Sequence, residues 1–248
     1  MRSGRAHLLR RSSSLVFEHV PGKTRQPVTR AADNRVVIHP LIDGFFRLLA
    51  PAYCPGCDLP LRPGESEFCE ACAPLLEKTP SALQPPAASS AIFVYGGPLA
   101  DAIRRLKYGG RTEIGPVLGA TLARAALPYA GRVDAVLPMP LHPRALRKRG
   151  FNQSICLARP VARALAVCLD PGSLQRRRDT SEQAGLSRAG RIANVKDAFR
   201  ARPGKGLRRV LLVDDVRTTG ATLASAADSL LQAGASRVYT LALARAEP

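Results

Sequence analysis

The feature that most constrains this chain is an apolar run that ends in two adjacent carboxylates. Residues 210–213 read Val-Leu-Leu-Val, Asp214 and Asp215 follow, and a loop with hydroxyls and a glycine leads into a helical pattern. A continuous apolar run bounded by polar residues is typical of a parallel strand buried on both faces. Ligands bind beyond the carboxyl ends of such strands, and helix N-termini offer free N–H groups to anions. The pattern therefore predicts a ligand site at this strand end.

The same stretch resembles the phosphoribosyl diphosphate (PRPP) signature of type I phosphoribosyltransferases. The resemblance implies that Asp214 and Asp215 are the catalytic acids, which hold the ribose hydroxyls, and that Mg²⁺ enters with PRPP. It also implies a phosphate-binding loop made by Arg217, Thr218, Thr219, Gly220, Ala221 and Thr222. The alternative is an ordinary surface loop after a core strand.

Four cysteines near the front of the chain form two C-x-x-C pairs. They are Cys54, Cys57, Cys69 and Cys72, with eleven residues between the pairs. Thiolates at this spacing can reach one tetrahedral Zn²⁺ from two knuckle turns. Disulfides, free thiols or a redox pair are the alternatives, and the absence of a secretion signal disfavours disulfides. The spacing predicts a small ribbon with a structural zinc ion.

A zinc ribbon followed by a PRPP motif resembles the ComF family, the ComFC-type competence proteins of bacteria. Residues 106–111, 138–154 and 178–199 also resemble blocks of that family, and the likeness runs from about Tyr53 to the C-terminus. The resemblance implies a cytoplasmic role in DNA uptake during natural transformation. The implied partners are single-stranded DNA, other DNA-uptake proteins, and PRPP or a related phosphorylated ligand.

The fold class expected is α/β, a type I phosphoribosyltransferase-like doubly wound parallel sheet with a small N-terminal zinc ribbon built on the four cysteines. Four regions are expected: a disordered basic extension or start-site artefact at 1–38, a short helix plus the ribbon at 39–78, a linker at 79–90, and the phosphoribosyltransferase-like domain at 91–248. Strands are expected at 91–95, 133–139, 174–178, 210–213 and 238–243, and helices at 97–107, 113–127, 151–168 and 219–233. Pro160 is expected to kink the third helix or to begin a new one.

Basic residues outside the signature are candidates for binding pyrophosphate. A pyrophosphate loop is expected at 140–144, and a hood that closes over the substrate at 178–194. The candidate cations are Lys107, Arg111, Arg144, Arg178 and Arg191. Exposed loop charges are an equal alternative for Arg144 and Arg191, and His142 is a weak candidate for a general base. No aromatic residue can be assigned to base recognition.

The charge balance leaves more than one function open. The chain carries 37 basic and 19 acidic residues, a net charge of +18, which indicates a polyanionic partner or substrate unless it reflects compositional drift toward arginine. The first hypothesis is a PRPP-dependent phosphoribosyltransferase with an unknown acceptor. The second is a non-catalytic competence factor that binds single-stranded DNA on the same scaffold. A regulator that senses PRPP is a third. No apolar stretch is long enough to predict a membrane span.

Overall fold

The apolar run of the sequence forms the central strand of a five-stranded sheet. The computed structural model describes residues 52–65, 67–178, 198–202 and 208–246. The strands of the sheet are β1 (Ser89–Val94), β2 (Ala135–Pro138), β3 (Cys168–Leu169), β6 (Arg209–Arg217) and β7 (Arg237–Arg245). Their order is β1-β7-β6-β2-β3, and the described pairings are all parallel. Two further strands, β4 (Leu174–Arg176) and β5 (Phe199–Ala201), form a separate antiparallel pair.

Helices cover both faces of the sheet. They are α1 (Gly97–Tyr108), α2 (Ile114–Ala126), α3 (Pro143–Arg149), α4 (Gln153–Leu165) and α5 (Ala221–Gln232). Leu211 and Val213 of β6 share a core with α1, α2 and α4, whereas Val210 and Leu212 share the opposite core with α5 and the β4–β5 pair. Because successive side chains of a strand point to opposite faces, both sets must be apolar. The predicted doubly wound α/β sheet is confirmed.

Most predicted elements are confirmed, with ends that differ by a few residues, but α3 was not predicted and the loop expected there is corrected. The loop expected at 140–144 ends early, because Pro143 occupies the first turn of α3, where proline loses no hydrogen bond. Pro160 lies inside α4 and therefore does not begin a new helix, whereas the expected kink stays a prediction. The extension expected at 1–38, the helix expected after it and the hood beyond Arg178 lie outside the described residues.

The backbone of α2 approaches α4 closely at Gly115 and Gly119. A Cβ atom on Gly115 would lie 2.7 Å from Cys156 Cβ, and one on Gly119 would lie 2.8 Å from Pro160 Cγ and 2.9 Å from the Cys156 carbonyl oxygen. Pro160 has no N–H to donate to that carbonyl, so the backbone of α2 can approach it closely. Glycine at these two positions sets the distance between the helices.

The cysteine-bearing segment packs on α1 and α2. Cys54, Phe68 and Cys72 belong to the same apolar core as the helices on that face of the sheet. Arg105 of α1 donates to the Pro55 carbonyl at 2.8 Å, and Thr121 of α2 donates to Glu67 at 2.8 Å. The segment is therefore joined to the sheet domain by both apolar packing and hydrogen bonds. In the described part of the chain, no helix is both long and apolar enough to cross a bilayer.

Candidate functional site

A cavity of about 240 Å³ opens where the strand order reverses. The chain leaves β2 toward one edge of the sheet and leaves β6 toward the other, so the connections diverge between these neighbouring strands. Such switch points form ligand crevices in open α/β sheets. The lining includes Lys107, Arg149, Gln153, Ser154, Asp214, Asp215, Arg217, Thr218, Gly220 and Thr222. The structure thus brings the acid pair and much of the predicted phosphate loop to one cavity.

The two carboxylates are held by the first turn of α4. Ser154 donates its hydroxyl to Asp214 Oδ1 at 3.0 Å, and the backbone N–H of Asp215 donates to the same oxygen at 2.9 Å. Gln153 Nε2 donates to Asp215 Oδ1 at 3.4 Å. Asn152 caps α4 through Ser154 N and donates to the Met139 carbonyl at 2.9 Å, which fixes this turn against the end of β2.

Lys107, at the end of α1, forms a largely buried ion pair with Asp215 in the wall of the cavity. Burial alone would raise the pKa of Asp215, but Lys107 outweighs it and holds that pKa below its ordinary value. Burial and the neighbouring Asp215 charge raise the pKa of Asp214 to about 7. The pair is therefore unequal: Asp215 is ionised, and Asp214 exchanges a proton near neutral pH.

The loop after β6 has the backbone of an anion-binding turn. Gly220 adopts φ +79° at the N-cap of α5, and Thr219 Oγ1 accepts a hydrogen bond from the Ala221 N–H at 3.3 Å. Thr218, Gly220 and Thr222 line the cavity. Arg217 also lines it, although one of its guanidinium nitrogens donates to Ser89 Oγ at 2.7 Å. This turn offers N–H groups and hydroxyls at a helix N-terminus.

The predicted cations do not all reach the cavity. Lys107 lines it, whereas Arg111 pairs with Asp58 and Glu113 beside the cysteine-bearing segment. Arg144 and Arg178 are exposed and lie outside the cavity lining, and Arg191 lies outside the described residues. Arg111 is diverted because the turn after α1 directs it toward Asp58, which approaches within 2.6 Å.

His142 and three residues that were not predicted also line the cavity. His142 lines the cavity and caps α3, with Nδ1 accepting from the Arg144 N–H at 3.4 Å. Arg149, Gln153 and Ser154 were not among the sequence candidates for site residues. A usable signal was present, because they flank Asn152, a typical helix cap, in the segment that follows the strand predicted at 133–139.

The four cysteines form a second candidate site. Their sulfur atoms all lie within 4.8 Å of one another, and Cys57 Sγ lies 3.6 Å from Cys69 Sγ. Four thiolates around a tetrahedral Zn²⁺ are separated by about 3.8 Å, so the cluster fits this ion. Burial opposes ionisation of Cys54, but N–H groups of Cys69, Cys57 and Gly56 outweigh it and lower its pKa to about 7. The cluster could hold a metal such as zinc.

The chain is similar to parts of two solved structures. The chain is 25% identical to the glutamine PRPP amidotransferase from B. subtilis complexed with ADP and GMP, with a TM-score of 0.35 over 52% of this chain and 25% of that chain. It is 22% identical to the orotate phosphoribosyltransferase from Aeropyrum pernix, with a TM-score of 0.31 over 58% of this chain and 64% of that chain.

Several bacterial proteins are similar to this chain over most of its length, although no protein-family profile matches it. It is 36% identical over 199 residues to DNA utilization protein YhgH of Escherichia coli K12, covering 77% of this chain and 83% of that protein. It is 34% identical over 161 residues to Competence protein F of Haemophilus influenzae, covering 61% of this chain and 70% of that protein. Competence protein ComFC of Streptococcus pneumoniae is 28% identical over 155 residues, covering 62% and 67%. The chain therefore belongs to the ComF family of competence proteins.

Proposed function

We propose that the cavity between β2 and β6 binds PRPP and that the chain is a phosphoribosyltransferase-type member of its family. The observation that carries the proposal is the convergence of the acid pair, the 217–222 loop and the first turn of α4 on one cavity at the switch point. A phosphorylated pentose needs acceptors for its hydroxyls and donors for its phosphate within a short distance. This cavity offers both.

Each part of the cavity has a defined task in this proposal. The acid pair accepts hydrogen bonds from the ribose hydroxyls. Backbone N–H groups and hydroxyls of the 217–222 loop hold the terminal phosphate, and the α5 dipole favours its charge. Mg²⁺ prefers carboxylate and phosphate oxygens, so Asp214 would hold it together with the ligand, and the ion would supply positive charge to the pyrophosphate.

The reaction expected at such a site is substitution at C1 of the ribose. A lone pair of the acceptor forms a bond to C1, and the C1–O bond to pyrophosphate breaks. Pyrophosphate leaves with that electron pair, and the acceptor releases its proton to water. The protein contributes by positioning the reactants and by neutralising charge. The proposal leaves the acceptor unassigned.

Calorimetric titration tests the proposal directly. Zinc-loaded wild-type protein is titrated with PRPP in the presence of Mg²⁺, beside the Asp214→Asn/Asp215→Asn variant. We expect binding by the wild type and loss of about 100-fold or more in the variant, because two charged acceptors are removed. Pyrophosphate alone serves as a ligand control. Absence of PRPP binding by folded wild-type protein, or equal binding by both proteins, contradicts the proposal.

A second candidate is binding of single-stranded DNA, which is compatible with the first and with a cytoplasmic role in DNA uptake. The motivating observation is the basic surface of α3, where Arg144, Arg147 and Lys148 are exposed, and the absence of acids from residues 141–169. Phosphate contacts of this kind make affinity fall steeply with salt.

The DNA candidate is tested by fluorescence anisotropy with a labelled oligothymidylate at several NaCl concentrations. Arg147→Glu/Lys148→Glu should weaken binding about tenfold or more and flatten the salt dependence. Arg62→Glu/Lys78→Glu makes the same change of net charge outside α3 and should have a smaller effect. Binding that is absent at low salt, or that salt does not alter, excludes this candidate.

A further inference from the structure

The aromatic ring of Tyr108, the last residue of α1, lies at the surface. The residue is 77% exposed, and Tyr53, at 43%, is the other exposed aromatic residue in the described part of the chain. The remaining described phenylalanines and tyrosines are buried or half-buried. Because an exposed ring contributes little to the core, most of the Tyr108 surface is available for contact with a partner.

Arg149, the last residue of α3, lies over the ring of Tyr108. Its guanidinium carbon is 5.2 Å from the ring centre, within the range of a cation–π contact. The same guanidinium donates to Gln153 Oε1, an uncharged amide oxygen, so this contact leaves its positive charge unneutralised. Arg149 and Gln153 both line the cavity at the switch point. Tyr108 is therefore held beside the rim of that cavity.

The helix that ends at Arg149 is basic along its exposed surface. The chain carries no acid from residue 141 to residue 169, and α3 exposes three cations, Arg144, Arg147 and Lys148. Proteins that bind single-stranded nucleic acids combine a basic surface for the phosphates with aromatic rings on which the bases stack. The end of α3 and the ring of Tyr108 bring these two features together.

The surroundings of Tyr53 differ in charge. The Arg111 guanidinium carbon lies 5.5 Å from the centre of the Tyr53 ring, but Arg111 also pairs with Asp58 and Glu113. Two carboxylates neutralise this arginine and repel the phosphates of a nucleic acid. Tyr53 therefore has the exposed ring and the neighbouring arginine without the basic surroundings, and it is the matched control for Tyr108.

We propose that Tyr108 is a stacking platform for one base of a single-stranded DNA whose phosphates lie along α3. The base packs on ring surface that Arg149 leaves open, and any base can occupy this position because every base has a π-face. A base inside a duplex is already stacked, so the contact favours single strands. The inference rests on the DNA candidate of the proposed function and is independent of PRPP binding.

Fluorescence anisotropy separates stacking from phosphate binding. The probes are a labelled oligothymidylate and a labelled strand of equal length made of abasic residues, which keeps the phosphates and lacks the bases. The proteins are the wild type, Tyr108→Ala, Tyr108→Phe and Tyr53→Ala, all zinc-loaded and at one low NaCl concentration. Thermal unfolding verifies that each variant is folded.

We expect the wild type to bind the oligothymidylate about tenfold more tightly than the abasic strand. Tyr108→Ala should lose about tenfold in affinity for the oligothymidylate and bind the abasic strand as the wild type does. Tyr108→Phe should keep the wild-type affinities, because stacking requires the ring and not the hydroxyl. Tyr53→Ala should keep them as well.

Three results overturn the inference, and they have different meanings. If the wild type binds neither strand, the DNA candidate fails and the stacking site fails with it. If the wild type binds DNA and Tyr108→Ala binds the oligothymidylate equally well, only the stacking site fails. If Tyr108→Ala loses the same affinity for both strands, the ring acts on phosphate contacts, for example through Arg149, and does not stack with a base.

Discussion

The carboxyl group of Asp214 couples folding to pH. Burial and the Asp215 charge raise its pKa to about 7, from an unfolded value of about 3.9. Between these values the folded protein retains a proton that the unfolded chain has released. This contribution to stability is complete below about pH 4 and is lost as pH rises through about 7. Asp214→Asn should therefore flatten the change in thermal stability between pH 5 and pH 8.

The measurement is the unfolding midpoint of both proteins by differential scanning fluorimetry at pH 5 and pH 8. Asp134→Asn is the control, because Arg209 holds the pKa of Asp134 below its ordinary value and it stays ionised over this range. If Asp214→Asn retains the full wild-type pH dependence, another group is responsible for it.

Gly220 should be needed for the ligand rather than for folding alone. Its φ of +79° disfavours residues with a Cβ atom, and Gly220→Ala should cost about 1–2 kcal/mol of stability. The same change at Gly234, which has φ +104° after α5 and lies outside the cavity lining, should cost a similar amount. Thermal unfolding should show both losses, whereas calorimetry should show weaker PRPP binding only in Gly220→Ala. Equal PRPP affinities of the two variants would show that the loop does not contact the ligand.

At the level of elements, the sequence predicted those with a continuous periodic pattern. The strand at 210–213 and the helix after it were found, because a buried strand and an amphipathic helix leave long signatures. β3 and β5 were missed, since they span two and three residues and depend on their partner strands. α3 was also missed, since the prediction placed a loop at 140–144 and no helix between there and 151, although Pro143 after His142 is compatible with a helix start.

The cysteine-bearing segment should stabilise α1 when it holds a metal. Cys54 and Cys72 are buried in the core that includes α1, and Arg105 binds the first knuckle turn. Cys72→Ser should remove the bound metal and lower the free energy of unfolding by about 3 kcal/mol or more. Elemental analysis and denaturant unfolding measure both effects. Cys168→Ser, at an exposed cysteine outside the cluster, should change neither.

At the level of the whole molecule, the sequence identified one segment of the site but not the residues that pack against it. The acid pair and its loop are contiguous, so their order of residue types was readable. Ser154 and Asp214 are sixty residues apart along the chain, and their contact depends on the placement of α4 beside β6. Arg111 was predicted to bind pyrophosphate because of its charge, but its partner is Asp58. That contact depends on the tertiary fold and could not be predicted from the sequence.

The close packing of α2 against α4 requires glycine at positions 115 and 119, and this requirement limits the sequences that can form the cavity. A methyl group at position 115 or 119 would press on Cys156 or Pro160 and shift α4. The first turn of α4 carries the Gln153 and Ser154 side chains that hold the two acids. In a mutational scan scored by ligand affinity, both glycines should therefore rank with the cavity residues, although neither lines the cavity.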